Sequence, residues 1–143
     1  MVGIGVVGAG YWGPNLVRNF AALSGVQMVA VADRDRGRLE HIGALFPGVD
    51  RVERIEDLLV NDQIQGIALA TPADSHYPLA KRVLEAGKGV FVEKPLARHP
   101  YLGRNADNSD RPANRGLLSL SDKPRLAAMM AAQPLQFLPP QLP

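Results

Sequence analysis

The 143-residue chain contains no cysteine. Disulfides, thiolate metal sites and thiol nucleophiles are excluded, and a cysteine-free chain suits the reducing cytoplasm, where this protein is expected. Aromatic residues make up only 6% of the sequence, with a single tryptophan. They nowhere interleave with a basic stripe, so a nucleic-acid partner is not expected. Long apolar runs are also missing. None approaches the ~20 residues needed to span a bilayer, and no basic stretch precedes the opening apolar segment as it would in a signal peptide, so no membrane association is expected. His41, His76 and His99 are the only histidines and stand far apart. Without a ligand spacing such as H-E-x-x-H they predict no metal site. Ser75 beside His76 lacks the nucleophile elbow and an orienting acid, and no P-loop or internal repeat occurs. A charge excess of one sign is nearly absent as well: the net charge is +2. It is unevenly placed, since residues 1–97 carry 10 Lys/Arg and 11 Asp/Glu while residues 98–143 carry 6 and 3.

What is present begins at the N-terminus. Val2-Gly3-Ile4-Gly5-Val6-Val7 runs into Gly8-Ala9-Gly10-Tyr11-Trp12-Gly13, an apolar strand ending in G-x-G-x-x-G. In that context Gly8 allows the tight turn, Gly10 lets backbone amides approach a pyrophosphate, and Gly13 lets the next helix pack on the strand. Tyr11 and Trp12 fall inside the same turn. The pyrophosphate would rest on the helix N-terminus, where unpaired N–H groups and the macrodipole favour negative charge. A second apolar run, Val26 to Ala32, ends in Asp33. That is where a dinucleotide-binding fold places the carboxylate for the adenine ribose, although a cap on the following helix is the simpler reading of Asp33 taken alone. Asp33 predicts NAD over NADP unless a cation at Arg34, Arg36 or Arg38 meets the 2′-phosphate.

Up to Pro95 strands and helices alternate, which predicts an α/β fold of the Rossmann type: a doubly wound parallel sheet with helices on both faces. Strands are expected at about 2–7, 26–32, 49–53, 64–70 and 88–92. The first helix has Pro14 near its start and Leu16, Val17, Phe20 and Leu23 on a helical period, with Ser24-Gly25 as its C-terminal cap. A second spans about 34–46, weakened by Gly37 and Gly43, and a short one carries Ile55, Leu58 and Leu59. Beyond Pro95 the pattern dissolves. Seven of the twelve prolines lie between Pro100 and Pro143, and the apolar residues keep no sustained period except for a short helix over Lys123 to Ala132. The expected organisation is a dinucleotide-binding domain over 1–97, its sheet ending after the fifth strand, followed by an irregular, mobile tail over 98–143.

The fourth strand leads into Thr71-Pro72-Ala73-Asp74-Ser75-His76, and the fifth into Glu93-Lys94-Pro95. The order of glycine turn, Asp33, T-P-x-x-x-H and E-K-P resembles the N-terminal domain of the GFO/IDH/MocA oxidoreductases, the glucose–fructose oxidoreductase and inositol dehydrogenase family. The resemblance covers residues 1 to about 97. It implies NAD as cofactor and hydride transfer to or from a sugar, a polyol or a nucleotide-linked sugar, the last suggested by Gly10-Tyr11-Trp12-Gly13-Pro14-Asn15. It also implies that Thr71 and Pro72 line the nicotinamide ribose, that His76 and Glu93 belong to the same cofactor-binding set, and that Lys94 serves the substrate hydroxyl and the nicotinamide. A positive charge there would stabilise a developing alkoxide. Glu93 is a candidate partner for that ammonium. For Thr71-Pro72 the alternative is a plain strand-to-helix turn capped by Asp74 or Ser75, and for His76 a local hydrogen bond to backbone.

Members of the family continue into a second, largely antiparallel domain that supplies the substrate pocket, a histidine base and the oligomer interface. Nothing after Ala97 resembles it, and a shifted reading frame is the expectation that best explains the loss of pattern. A cofactor-binding or interaction module whose proline-rich tail has its own partner is the second reading.

Overall fold

The computed structural model describes residues 1–92 and 117–119. Six parallel strands form one sheet in the order β3-β2-β1-β4-β5-β6. They are β1 Val2–Val7, β2 Val26–Ala32, β3 Asp50–Val52, β4 Gly66–Leu69, β5 Gly89–Val92 and β6 Leu117–Ser119. The connecting helices are α1 Gly13–Ala21, α2 Arg36–Leu45, α3 Ile55–Leu59 and α4 Ala73–Glu85. β6 was not expected from the sequence. It lies in the stretch read as irregular and pairs in parallel with β5, Val90 opposite Leu117. Leu117-Leu118-Ser119 is short and lacks the alternating strand-and-helix pattern that marks the equally short β3, so only the neighbouring edge reveals it.

β1, β2, β4 and β5 read as nearly continuous apolar runs because both faces are buried, as in parallel sheets generally, whereas β3 at the edge, Asp50-Arg51-Val52, is largely exposed. Successive side chains feed opposite cores. Val6, Val31, Ala68 and Phe91 join Leu16, Val17 and Phe20 of α1 and Leu39 and Ile42 of α2. Val7, Ala32, Ile67, Leu69, Val90 and Val92 join Leu58 of α3 and Ala80 and Val83 of α4. The alternation slips once. Ile4 pairs with Met28 but Gly5 with Ala30, so Val29 is an extra residue on β2, and Val29 and Ala30 both enter the second core as a bulge permits. Strand order reverses between β1 and β4, and α1 and α4 both leave the carboxyl ends of those strands. Open parallel sheets bind ligands at such a point.

Candidate dinucleotide site

Three strand ends meet at the reversal. The Gly8 amide donates to the Ala32 carbonyl and the Ala70 amide to the Val7 carbonyl, each at 2.8 Å. The end of β1 is thereby pinned between those of β2 and β4. Gly8 then turns with φ +100°, a conformation that side chains resist. A Cβ there would stand 2.7 Å from the Ala70 carbonyl oxygen and 3.1 Å from Thr71 Cγ2, and one on Gly13 would collide with the Gly8 carbonyl oxygen. The first glycine brings the turn against the end of β4; the last brings α1 against the turn.

α1 begins without protection. Trp12 occupies the cap position with no side-chain capping bond, Pro14 lies in the first turn, and no acid is present there. The first-turn amides and the positive end of the macrodipole are thus left for an anion, which fits a pyrophosphate. Tyr11 and Trp12 are exposed and meet edge to face, with ring centroids 5.4 Å apart.

Asp33 crosses to the glycine turn. Its side chain is 10% exposed, and Oδ2 accepts from the Ala9 amide at 2.7 Å while Oδ1 accepts from the Asp35 amide at 2.8 Å. The cap of α2 is Asp35, which accepts from the Arg38 amide at 3.1 Å. That corrects the reading in which Asp33 caps the helix and leaves its carboxylate at the crevice. The neighbouring arginines differ. Arg36 pairs with Glu53 at 2.6 Å. The Arg38 guanidinium lies 3.8 Å from both Asp33 and Asp35, and 3.7 Å from where a Cβ on Gly10 would stand. Arg34 is exposed and makes no hydrogen bond or ion pair among the described residues.

On the other side of the reversal, Pro72 takes the cap position of α4 with no side-chain capping bond, so neither Asp74 nor Ser75 caps it. Ser75 Oγ instead lies 2.7 Å from both Thr71 Oγ1 and the Pro72 carbonyl oxygen. His76 is buried, and its Nε2 lies 2.7 Å from the Thr71 carbonyl oxygen. Glu93 and Lys94 follow β5 directly in sequence but lie outside the described residues, as does His99. The placement of Arg38 over the glycine turn and the hydrogen bond between the Ser75 and Thr71 hydroxyls are features of the folded turns. The D-x-x-R spacing of Asp35 and Arg38 and the four-residue spacing of Thr71 and Ser75 are the signals that carry them.

The parallel 3-2-1-4-5-6 order, the glycine turn at its reversal and the acid ending β2 define a dinucleotide-binding Rossmann domain. Residues 2–107 match the model of the GFO/IDH/MocA family, described as an oxidoreductase family with an NAD-binding Rossmann fold. The chain belongs to that family. It is 37% identical over 99 residues to inositol 2-dehydrogenase 1 of Saccharopolyspora erythraea, a match covering 67% of this chain and 29% of that protein. The structure of GenD2 from gentamicin A biosynthesis, in complex with NAD, superposes with a TM-score of 0.73 at 29% identity over 82% of this chain and 34% of the other. That of a variant of KijD10, a 3-ketoreductase from Actinomadura kijaniata in complex with TDP-benzene and NADP, gives 0.67 at 26% identity over 73% and 33%. The chain therefore spans about a third or less of the length of these three proteins. Among the described residues no helix is long and apolar enough to cross a membrane.

Proposed function

We propose that this domain binds NAD(H) in preference to NADP(H) and serves an oxidoreductase that moves hydride to or from a sugar, a polyol or a nucleotide-linked sugar. The observation that carries the cofactor reading is the Asp33 carboxylate, nearly buried at the end of β2 and tied to the Ala9 amide of the glycine turn. Relatives support both cofactors, since GenD2 was solved with NAD and KijD10 with NADP. The preference rests on charge: a 2′-phosphate adds about two negative charges beside Asp33. Of the three arginines, Arg36 is engaged by Glu53 and Arg38 faces two carboxylates. Arg34 is the cation left to oppose the preference.

When bound, the nicotinamide ring accepts or supplies the hydride. The chain's own residues do the rest. Gly8, Gly10 and Gly13 admit the pyrophosphate to the first-turn amides of α1, Tyr11 and Trp12 border it, and Asp33 accepts from the adenine ribose. Thr71 and Pro72 border the nicotinamide half. Lys94, two residues beyond β5 and next to Glu93, is assigned the substrate hydroxyl, where its ammonium would steady a developing alkoxide. The names inositol 2-dehydrogenase and 3-ketoreductase among the relatives support a polyol or sugar as substrate. The reading of the chain as a non-catalytic interaction module has no such support. Calorimetric titration with NADH and NADPH tests the proposal: saturable binding, tighter for NADH, is expected, and equal or tighter NADPH binding would show that Arg34 outweighs Asp33.

A further inference from the structure

We propose that Ser75 and His76 are positioning residues, which lock the Thr71-Pro72 turn so that Thr71 meets the nicotinamide half of the cofactor as a hydrogen-bond acceptor. The inference rests on the dinucleotide reading above and assigns to these two side chains a role that needs no contact with the ligand.

The hydrogen-bond directions follow from what each atom can do. A carbonyl oxygen only accepts, so His76 Nε2 carries its hydrogen and donates it to Thr71. Ser75 has one hydroxyl hydrogen and two oxygens at 2.7 Å, the Thr71 hydroxyl and the Pro72 carbonyl. The Pro72 carbonyl cannot donate, so Ser75 gives it that hydrogen and receives the hydrogen of Thr71 in exchange. The Ser75 amide adds a bond of 3.0 Å to the same carbonyl. Thr71 thus has its carbonyl held from α4 and its one hydroxyl hydrogen used within the turn. Its Oγ1 keeps lone pairs only, which suits a ligand hydroxyl.

The turn is held from the other side as well. Thr71 Cγ2 would lie 3.1 Å from a Cβ on Gly8, so the threonine methyl packs on the glycine turn itself. Asp33 places the adenine ribose over β2; the other half of a dinucleotide then runs over β4 and β5, past Thr71. Such a bond is worth most if its owner is fixed before the ligand arrives, because ordering it on binding would cost entropy. His76 is 6% exposed and bonded to the Thr71 carbonyl oxygen, which suits it to supporting Thr71.

ADP-ribose, which carries the adenosine half and pyrophosphate but no nicotinamide, separates the two halves of the site. Its affinity and that of NADH would be measured on the full chain and on Ser75→Ala, His76→Leu and His76→Gln. ADP-ribose affinity is expected to stay within about twofold throughout, while NADH binding weakens by about fivefold in Ser75→Ala and His76→Leu, the loss of roughly one hydrogen bond. His76→Gln, which can present an N–H near the Nε2 position, is expected to restore it. If His76→Leu does not fold, Ser75→Ala and His76→Gln make the same comparison. Parallel weakening of both ligands, or no change in either, would overturn the positioning role. An unmodified chain that binds neither ligand would instead overturn the dinucleotide reading.

Discussion

Asp33 ties the end of β2 to the glycine turn, and in the proposed function the same carboxylate also meets the ligand. Two backbone amides, from Ala9 and Asp35, hold its oxygens at 2.7 and 2.8 Å, and each oxygen keeps a lone pair for a ribose hydroxyl. Asp33→Asn removes the charge, and with it charge-assisted bonds of about 1.5–3 kcal/mol; NADH affinity is expected to fall by roughly 10- to 100-fold in a fluorescence titration. The gap between NADH and NADPH should narrow in the same variant. Gly8→Ala places a side chain at φ +100° against the Ala70 carbonyl. A destabilisation of about 1–3 kcal/mol is expected by urea unfolding. Both residues were legible in the sequence, because the glycine spacing and an acid ending the second apolar run are local features. Arg38 is foreseen only as a cation for a 2′-phosphate and Ser75 only as a helix cap, because the carboxylates and the threonine they meet come together once the turns have folded.

At the scale of elements, β1, β2, β4 and β5 were readable because a strand buried on both faces is an almost unbroken apolar run, while the exposed β3 was readable only from its place in the alternation of strands and helices. β1 and β2 coincide with the expected 2–7 and 26–32. α2 begins at Arg36 and not at about 34, since Asp33 and Asp35 form a turn of their own before the cap. β6 stands outside the alternating pattern that made the equally short β3 readable. Packing between elements gives two predictions. Phe20 of α1 is 3% exposed and meets Phe91 of β5 edge to face at 5.4 Å. Phe20→Ala is expected to cost about 3–5 kcal/mol in chemical denaturation, a large part of a domain's usual stability. On the surface, Glu56 of α3 accepts from Arg82 of α4 at 2.5 Å. The side-chain hydrogen bond from Arg82 lowers the Glu56 pKa from 4.5 to about 2. A depressed folded pKa contributes stability above the unfolded value and loses it as the pH falls. Glu56→Gln should therefore melt below the unmodified protein at pH 7, and the gap should close between about pH 4.5 and 2 in thermal scans.

For the whole molecule, the parallel sheet brings the glycine turn, Asp33 and the Thr71-Pro72 turn to one end. They are separated by up to sixty-odd residues in sequence, and it is the reversal of strand order between β1 and β4 that gathers them. The adenosine half is assigned to the β2 side and the nicotinamide half to the β4 side, with the pyrophosphate between. Amide chemical-shift mapping on the isotope-labelled chain, titrated with NADH, tests that arrangement most directly. Saturating shifts are expected at Ala9, Gly10, Tyr11 and Gly13, with further sets at Asp33 and Thr71 and little change along α3. Shifts centred on another face of the sheet, or none that saturate, would contradict that arrangement.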